Sequence, residues 1–212
     1  MHKNRNNINV FWPVKRKGTK YISISSHNES DSIPLVVLIR DFCKLVKTKA
    51  ELKKLLNEKK IKINDKIIRD VNYPLSLFDI VDFDNKKFRM TISENKKFKL
   101  DEENNDLSKV IKIIGKKNLG KNKIQFNLMD GRNIISNSKA SVGDSVVYDY
   151  KNKKIVKFIK MEKGNDAFVI AGKHIGVKGK IKDIVELGGK KIAIIEKNKE
   201  KINVWIKNLI VM

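Results

Sequence analysis

The residues with types and spacing suited to chemistry in this chain are its cations, and they fall into three sets. Near the N-terminus Lys3, Arg5, Lys15, Arg16, Lys17 and Lys20 occur with no acid before Glu29, and Phe11, Trp12 and Tyr21 are interleaved among them. Ammonium and guanidinium groups neutralise phosphates, while aromatic rings stack on unpaired bases or fill a groove. The second set is Arg40, Lys44, Lys47, Lys53, Lys54, Lys62, Lys66 and Arg69. The forked guanidiniums of Arg40 and Arg69 suit bidentate phosphate contacts. The third lies in GKHIGVKGKIKDI, residues 172–184, where Lys173, Lys178, Lys180 and Lys182 are spaced by Gly172, Gly176 and Gly179. Glycine lets a loop take positive φ and lets backbone approach a ligand closely. His174 in that loop either stacks on or hydrogen-bonds a nucleic acid, or is an ordinary loop histidine.

Each lysine taken singly reads as a solvated surface residue; the sets read as faces. The balance of the whole chain supports that view. Of 212 residues 47 are Lys or Arg and 24 are Asp or Glu, a net charge of +23, and the pI is about 9.9. A charged fraction of 33% exceeds the ordinary share of roughly 25%. A lysine-, isoleucine- and asparagine-rich composition inflates the lysine count, but it does not explain why acids fail to balance it. Such a field calls for a polyanionic partner. Residues 1–40 carry seven basic groups against two acidic, 41–100 sixteen against nine, 101–150 eight against seven and 151–212 sixteen against six. The central segment is thus nearly neutral and reads as a packing or spacer domain.

Covalent and metal chemistry find little support. There is no GxxxxGK[ST] phosphate loop, no GxGxxG after a strand and no GxSxG elbow. Asp82 and Asp84 are paired carboxylates among lysines, where salt bridging is the simpler role. His2, His27 and His174 with the single Cys43 have no metal-ligand spacing, so no metal, cofactor or catalytic residue is expected. Cys43 reads as a small core hydrophobe, and a lone cysteine fits a cytosolic compartment. The first twenty residues lack an apolar h-region and no apolar run approaches the roughly 20 residues that span a bilayer.

The elements that must hold these cations follow from periodicity. Pro34 suits a first helical position. Leu35, Leu38, Ile39, Phe42, Leu45 and Val46 then recur at helical steps and predict one apolar face. Thr48 and Glu51 predict a capping box opening a second helix that buries Leu52, Leu55 and Leu56. The period then falls to two: Ile61 and Ile63, a turn at Asn64–Asp65, and Ile67–Ile68, with a return strand around Leu77, Phe78, Ile80 and Val81. Val110 to Ile114 predict a strand ending near Gly115, and KIQFNLM, Asp130–Gly131 and RNIIS predict a hairpin. Asp101, Glu102, Glu103 and Asp106 read as a solvated loop. Gly188–Gly189 joins IKDIVEL to KKIAIIE, and INVWI and LIVM supply the last strands, with Trp205 in the core. Residues 1–32 are expected to be a basic arm, disordered without RNA. Trp12 and its neighbours either dock on the helical module or meet RNA.

The stretch from Ser32 to Phe83, SIPLVVLIRDFCKLVKTKAELKKLLNEKKIKINDKIIRDVNYPLSLFDIVDF, resembles the RNA-binding domain of archaeal/eukaryotic-type small-subunit ribosomal protein four, the e-type family. FWPVKRKGTKYI before it and FIKMEKGNDAFVIAGKHIGVKGKI near the C-terminus extend the resemblance in the expected order. Residues 172–184 also resemble the KOW motif of ribosomal proteins and transcription elongation factors. The resemblance implies an α+β chain with a basic N-terminal arm (1–32), a small helix–helix–hairpin RNA-binding domain (33–92), a central β domain (93–164) and a C-terminal SH3-like KOW barrel (165–212). It implies a structural constituent of the small subunit with small-subunit rRNA and neighbouring ribosomal proteins as partners, at the cytoplasmic ribosome, with no membrane and no small-molecule substrate. A free KOW-type transcription factor and an RNA-modifying enzyme are the alternatives; residues 93–212 are short and β-rich for a catalytic domain.

Overall fold

The computed structural model describes residues 2–28, 31–84, 86–103, 107–120, 123–197 and 200–212. The chain divides into two compact units, Met1–Leu107 and Ser108–Met212. Strand is the commonest structure among the described residues, and helix is confined to a few short segments.

In the first unit β1 (His2–Asn4) pairs with β2 (Tyr21–Ser23) as an antiparallel ribbon. The expected arm is therefore folded, and its anchor is Trp12. The indole is 2% exposed and its Nε1 donates to Ser32 O at 2.9 Å. Phe11 meets Phe98 edge to face at 6.3 Å, and Lys97 Nζ donates to the carbonyls of Val10 and Trp12. Buried aromatic area with a satisfied indole N–H is enough to hold a segment that could not fold alone.

β3 (Ser32–Pro34) pairs with β6 (Pro74–Ser76), and Pro34 closes β3 immediately before the helical residues. The expected first helix is shorter than its apolar pattern. Leu35–Ile39 are buried, but Val37–Phe42 is a π-helical turn, with Cys43 N donating to Leu38 O at 2.9 Å. An i→i−5 bond widens the turn and rotates later side chains off the 3.6-residue stripe. Phe42 and Leu45 are accordingly 37% and 47% exposed, while Val46 remains buried. The second helix, α1 (Lys49–Asn57), opens on Thr48 as expected, with Glu51 N donating to Thr48 Oγ1, but the return bond of the box is shifted by one residue: Glu51 Oε2 accepts from Lys47 N rather than Thr48 N. Leu52 and Leu56 are fully buried and Leu55 half-buried.

The remaining strands are β4 (Ile61–Ile63), β5 (Lys66–Ile67), β7 (Ile80–Phe83), β8 (Lys86–Ile92) and β9 (Phe98–Glu103), in the antiparallel order β5-β4-β7-β8-β9. The β4–β5 turn is pinned by a buried pair: Asn64 Nδ2 donates to Asp79 Oδ1, and Asn64 Oδ1 accepts from Ile80 N. The stretch expected as an acidic loop is strand. Arg89 Nε donates to Glu103 at 2.6 Å and Thr91 Oγ1 to Asp101 at 2.8 Å; Asp106 lies outside the described residues. This pairing carries the first unit to residue 107, beyond the boundary expected at 92.

The second unit holds two five-stranded antiparallel sheets. One is β10 (Ser108–Gly120), β11 (Lys123–Leu128), β12 (Asn133–Ser136), β13 (Ser145–Asp149) and β14 (Lys154–Ile159), ordered β12-β11-β10-β13-β14. Ile111, Ile113, Phe126, Leu128 and Val146 are its core. β10 continues past Gly115 through a register shift, where an end was expected, and leaves Ile114 57% exposed. The other is β15 (Asp166–Val169), β16 (Lys178–Leu187), β17 (Lys190–Lys197), β18 (Glu200–Trp205) and β19 (Leu209–Val211), ordered β18-β17-β16-β15-β19. Ala167, Val169, Ile181, Ala193, Ile195, Leu209 and Val211 are its core. Trp205, expected inside, is 48% exposed.

The two sheets are stitched by polar groups. Lys112 is 5% exposed, and its Nζ donates to the carbonyls of Ile206, Lys207 and Leu209. Ser145 Oγ accepts from Val211 N, and Asp144 accepts from Ser141 N and Met161 N. Burial pushes the Lys112 ammonium down to about 8, so it is still charged at neutral pH. Lys112→Met would leave three carbonyls without their donor. It should lower the unfolding free energy of the second unit by about 2–4 kcal/mol in urea titrations.

Candidate nucleic-acid interface

The first two sequence sets lie in the first unit and the third in the second, and within each unit the structure divides them by role. In the ribbon, Lys3 sits in β1 opposite Ile22. Arg5 is committed to the protein: Nε donates to Thr19 O, Nη1 to Lys15 O and Nη2 to Thr19 Oγ1, at 2.7–3.0 Å. A Cβ on Gly18 would lie 2.8 Å from Arg5 Nη2, so glycine is what lets the loop wrap this closely. Arg5 therefore shapes the loop that displays Lys15, Arg16, Lys17 and Lys20, all exposed. Lys20 lies over the exposed ring of Tyr21, 5.3 Å from its centroid.

Around the helical turn, the fork expected to reach phosphate is occupied. Arg40 Nε and Nη2 donate to the two oxygens of Asp41 at 2.7 and 2.9 Å, and that hydrogen bonding holds the guanidinium pKa above its ordinary value. Lys44, Lys47, Lys53, Lys54, Lys66 and Arg69 are exposed, whereas Lys62 is half-buried opposite Asp82. Arg69 is exposed and makes no ion pair among the described residues. Cys43 is partly buried, and burial pushes its thiol up to about 11.

In the second unit, Lys173 is exposed and His174 half-buried in the loop joining β15 to β16. Val177 N donates to His174 O, and Ile175 packs inside, so the loop is built on its own backbone. Lys178, Lys180 and Lys182 follow on β16, all exposed. Gly179 between them is needed for space: a Cβ there would lie 2.6 Å from Glu196 O. Lys182 occupies a register shift and pairs with Glu196 at 3.3 Å, so it is partly neutralised, while Lys178 and Lys180 are not ion-paired among the described residues.

Sequence reasoning missed three residues that matter here. Lys112 lies between buried Ile111 and Ile113, and a lysine inside an apolar strand run was the available signal. Lys97 gave none, because its partners are backbone carbonyls more than eighty residues away in sequence. Trp205 gave none either. Among the described residues no group of three or more His, Cys, Asp or Glu could hold a metal ion, and no helix is long and apolar enough to cross a membrane.

The fold and its charged faces define a class: a basic, β-rich protein whose cations line surfaces. Residues 84–155 match the family described as Ribosomal family S4e. The small ribosomal subunit protein eS4 of Methanocella arvoryzae is 33% identical over 82% of this chain and 76% of its own length. That of Nanoarchaeum equitans is 31% identical over 94% and 89%. The crystal structure of the 30S ribosomal protein S4e from Thermoplasma acidophilum superposes with a TM-score of 0.76 at 25% identity, covering 86% of this chain and 95% of that one. This chain belongs to the small ribosomal subunit protein eS4 family.

The thiol of Cys43 supplies a test of the first unit's geometry. Alkylation of the native chain at pH 8 should be far slower than in urea, and should accelerate about tenfold per pH unit towards pH 11, because only the thiolate reacts. A native rate equal to the denatured one would contradict this burial.

Proposed function

We propose that the chain is a structural constituent of the small ribosomal subunit that binds small-subunit rRNA and supports translation at the cytoplasmic ribosome, beside neighbouring ribosomal proteins. The observation that carries this reading is identity of 31% to an eS4 protein over 94% of the chain. The surplus of exposed lysine agrees with it. Within that function, residues 33–92 act as the helix–helix–hairpin RNA-binding domain, and 165–212 as an SH3-like KOW barrel. The central β segment is a packing domain, and the basic N-terminal segment adds contacts. No catalytic step is assigned.

The contacting cations in this reading are Lys15, Arg16, Lys17 and Lys20 on the Arg5 loop, Lys44, Lys47, Lys53, Lys54, Lys66 and Arg69 around the helices, and Lys173, Lys178 and Lys180 at the glycine loop. Lysines outnumber arginines 41 to 6, so point-charge contacts dominate over bidentate ones. Recognition of paired RNA is mainly by shape and backbone, because the deep A-form groove hides its bases.

Sedimentation of gently lysed cells through sucrose is the direct test. The protein should travel with the small subunit and remain there at moderate salt; a protein left at the top of the gradient would refute the assignment. In a purified binding assay, Lys178→Glu with Lys180→Glu should reduce the slope of log K against log salt by roughly 0.7–0.9 for each phosphate that is no longer neutralised. An unchanged slope would remove these two lysines from the interface.

A further inference from the structure

The outer face of β16, β17 and β18 is unlike an ordinary polar sheet face. Alternation along the strands puts Ile181, Ala193, Ile195 and Val204 on the core side, and all are buried. The opposite side carries Val185, Leu187, Lys190, Ile192, Ile194 and Trp205. Leu187 is 58% and Trp205 48% exposed. Lys190 Nζ lies 4.7 Å from the centroid of the Trp205 ring. A half-exposed tryptophan bordered by aliphatic side chains is costly to leave in water, and the sheet's own core is complete without it.

The charge of this face says what covers it. Its acids on these strands are Asp183 and Glu196, and each is already held, by Lys163 at 2.7 Å and Lys182 at 3.3 Å. Lys180 and Lys201 flank Glu196 on the same outer row and make no ion pair among the described residues. Lys190 has the indole as its contact. The face therefore presents an aromatic platform with a surplus of positive charge, the combination by which proteins hold single-stranded nucleic acid: rings take bases and cations take the backbone.

Resting on the reading that this chain binds rRNA, we propose that Trp205 is a stacking platform for an unpaired RNA base, with Lys190 as its phosphate partner. Lys190 is at the β16–β17 hairpin on a flexible stem. A cation over an exposed ring is held more weakly than a stacked base, so the ammonium swings from the indole to the backbone as the base arrives. Lys180 and Lys201 lie along the path the strand would take next. The occupant is single-stranded, because a duplex keeps its bases stacked on one another.

The chain has two tryptophans, and Trp12 is buried, so quenching of the exposed fluorophore reports on Trp205. The full-length protein would be titrated with a twelve-nucleotide oligouridylate at 0.15 M salt. Fluorescence and anisotropy of a labelled RNA end would both be read, for the parent, Trp205→Ala, Trp205→Phe and Lys190→Ala. RNA should quench the exposed tryptophan and protect it from iodide. Trp205→Ala should weaken binding about tenfold or more, Trp205→Phe much less, and the salt slope should change only in Lys190→Ala. Parent and Trp205→Ala binding alike, or RNA binding without quenching, would overturn the stacking role and leave the broader function standing. Iodide protection that depends on protein concentration, or on an added acidic protein rather than RNA, would overturn it in favour of a protein contact. Absence of oligouridylate binding by the parent would overturn the stacking role, whereas failure to sediment with the small subunit is what would overturn the broader function.

Discussion

A buried ammonium holds the second unit together. Lys112 leaves the middle of one sheet and ends among three backbone carbonyls beside the last strand of the other. Taking a charge out of water costs several kcal/mol unless every proton finds a partner. Here the ammonium has three N–H groups and three acceptors, so the count closes. Two antiparallel sheets, each with its own apolar core, are thereby joined in one register. The last strand cannot shift along β15 without stripping the lysine of its acceptors. Ser145 and Asp144 add to the same seam.

This separates the cations into two kinds. Arg5, Arg40, Lys97 and Lys112 are committed to partners within the protein, backbone carbonyls for Arg5, Lys97 and Lys112 and the Asp41 carboxylate for Arg40. The lysines of the Arg5 loop, of α1 and of β16 face solvent instead. The net charge of +23 already counts the acids and is not altered by bonds to neutral carbonyls; what these contacts change is which cations are free to reach a ligand. Basic residues are not interchangeable even in a protein this rich in them. The guanidinium fork serves the loop at Arg5 and the carboxylate at Arg40, and compact ammonium groups do most of the facing outward.

What is legible in the sequence is local. The helix cap at Thr48, the turn at Asn64–Asp65, the Asp130–Gly131 hairpin and the Gly188–Gly189 hairpin are each written within a few residues, and each is present in the fold. The order of the three cationic sets is also legible, because it needs only counting. What the sequence hides depends on distant partners or a broken period. The π turn at Val37–Phe42 preserves the apolar letters but rotates Phe42 and Leu45 outward. The acids at 101–103 look like a loop until β8 offers Arg89 and Thr91 across the ladder. Arg5 looks like a free cation because the carbonyls it binds are ten and fourteen residues away, and Trp205 looks like core because an aromatic in a strand usually is.

The folded ribbon at the N-terminus has a thermodynamic consequence. Fixing a residue's backbone costs roughly 1–2 kcal/mol in conformational entropy, and a disordered arm would incur that cost at the moment of association. Here Trp12 and the guanidinium of Arg5 order the segment in the unbound chain. The loop of Lys15, Arg16 and Lys17 reaches a polyanion already shaped. More of its electrostatic attraction then survives as net affinity, and encounter does not wait on a search through conformations.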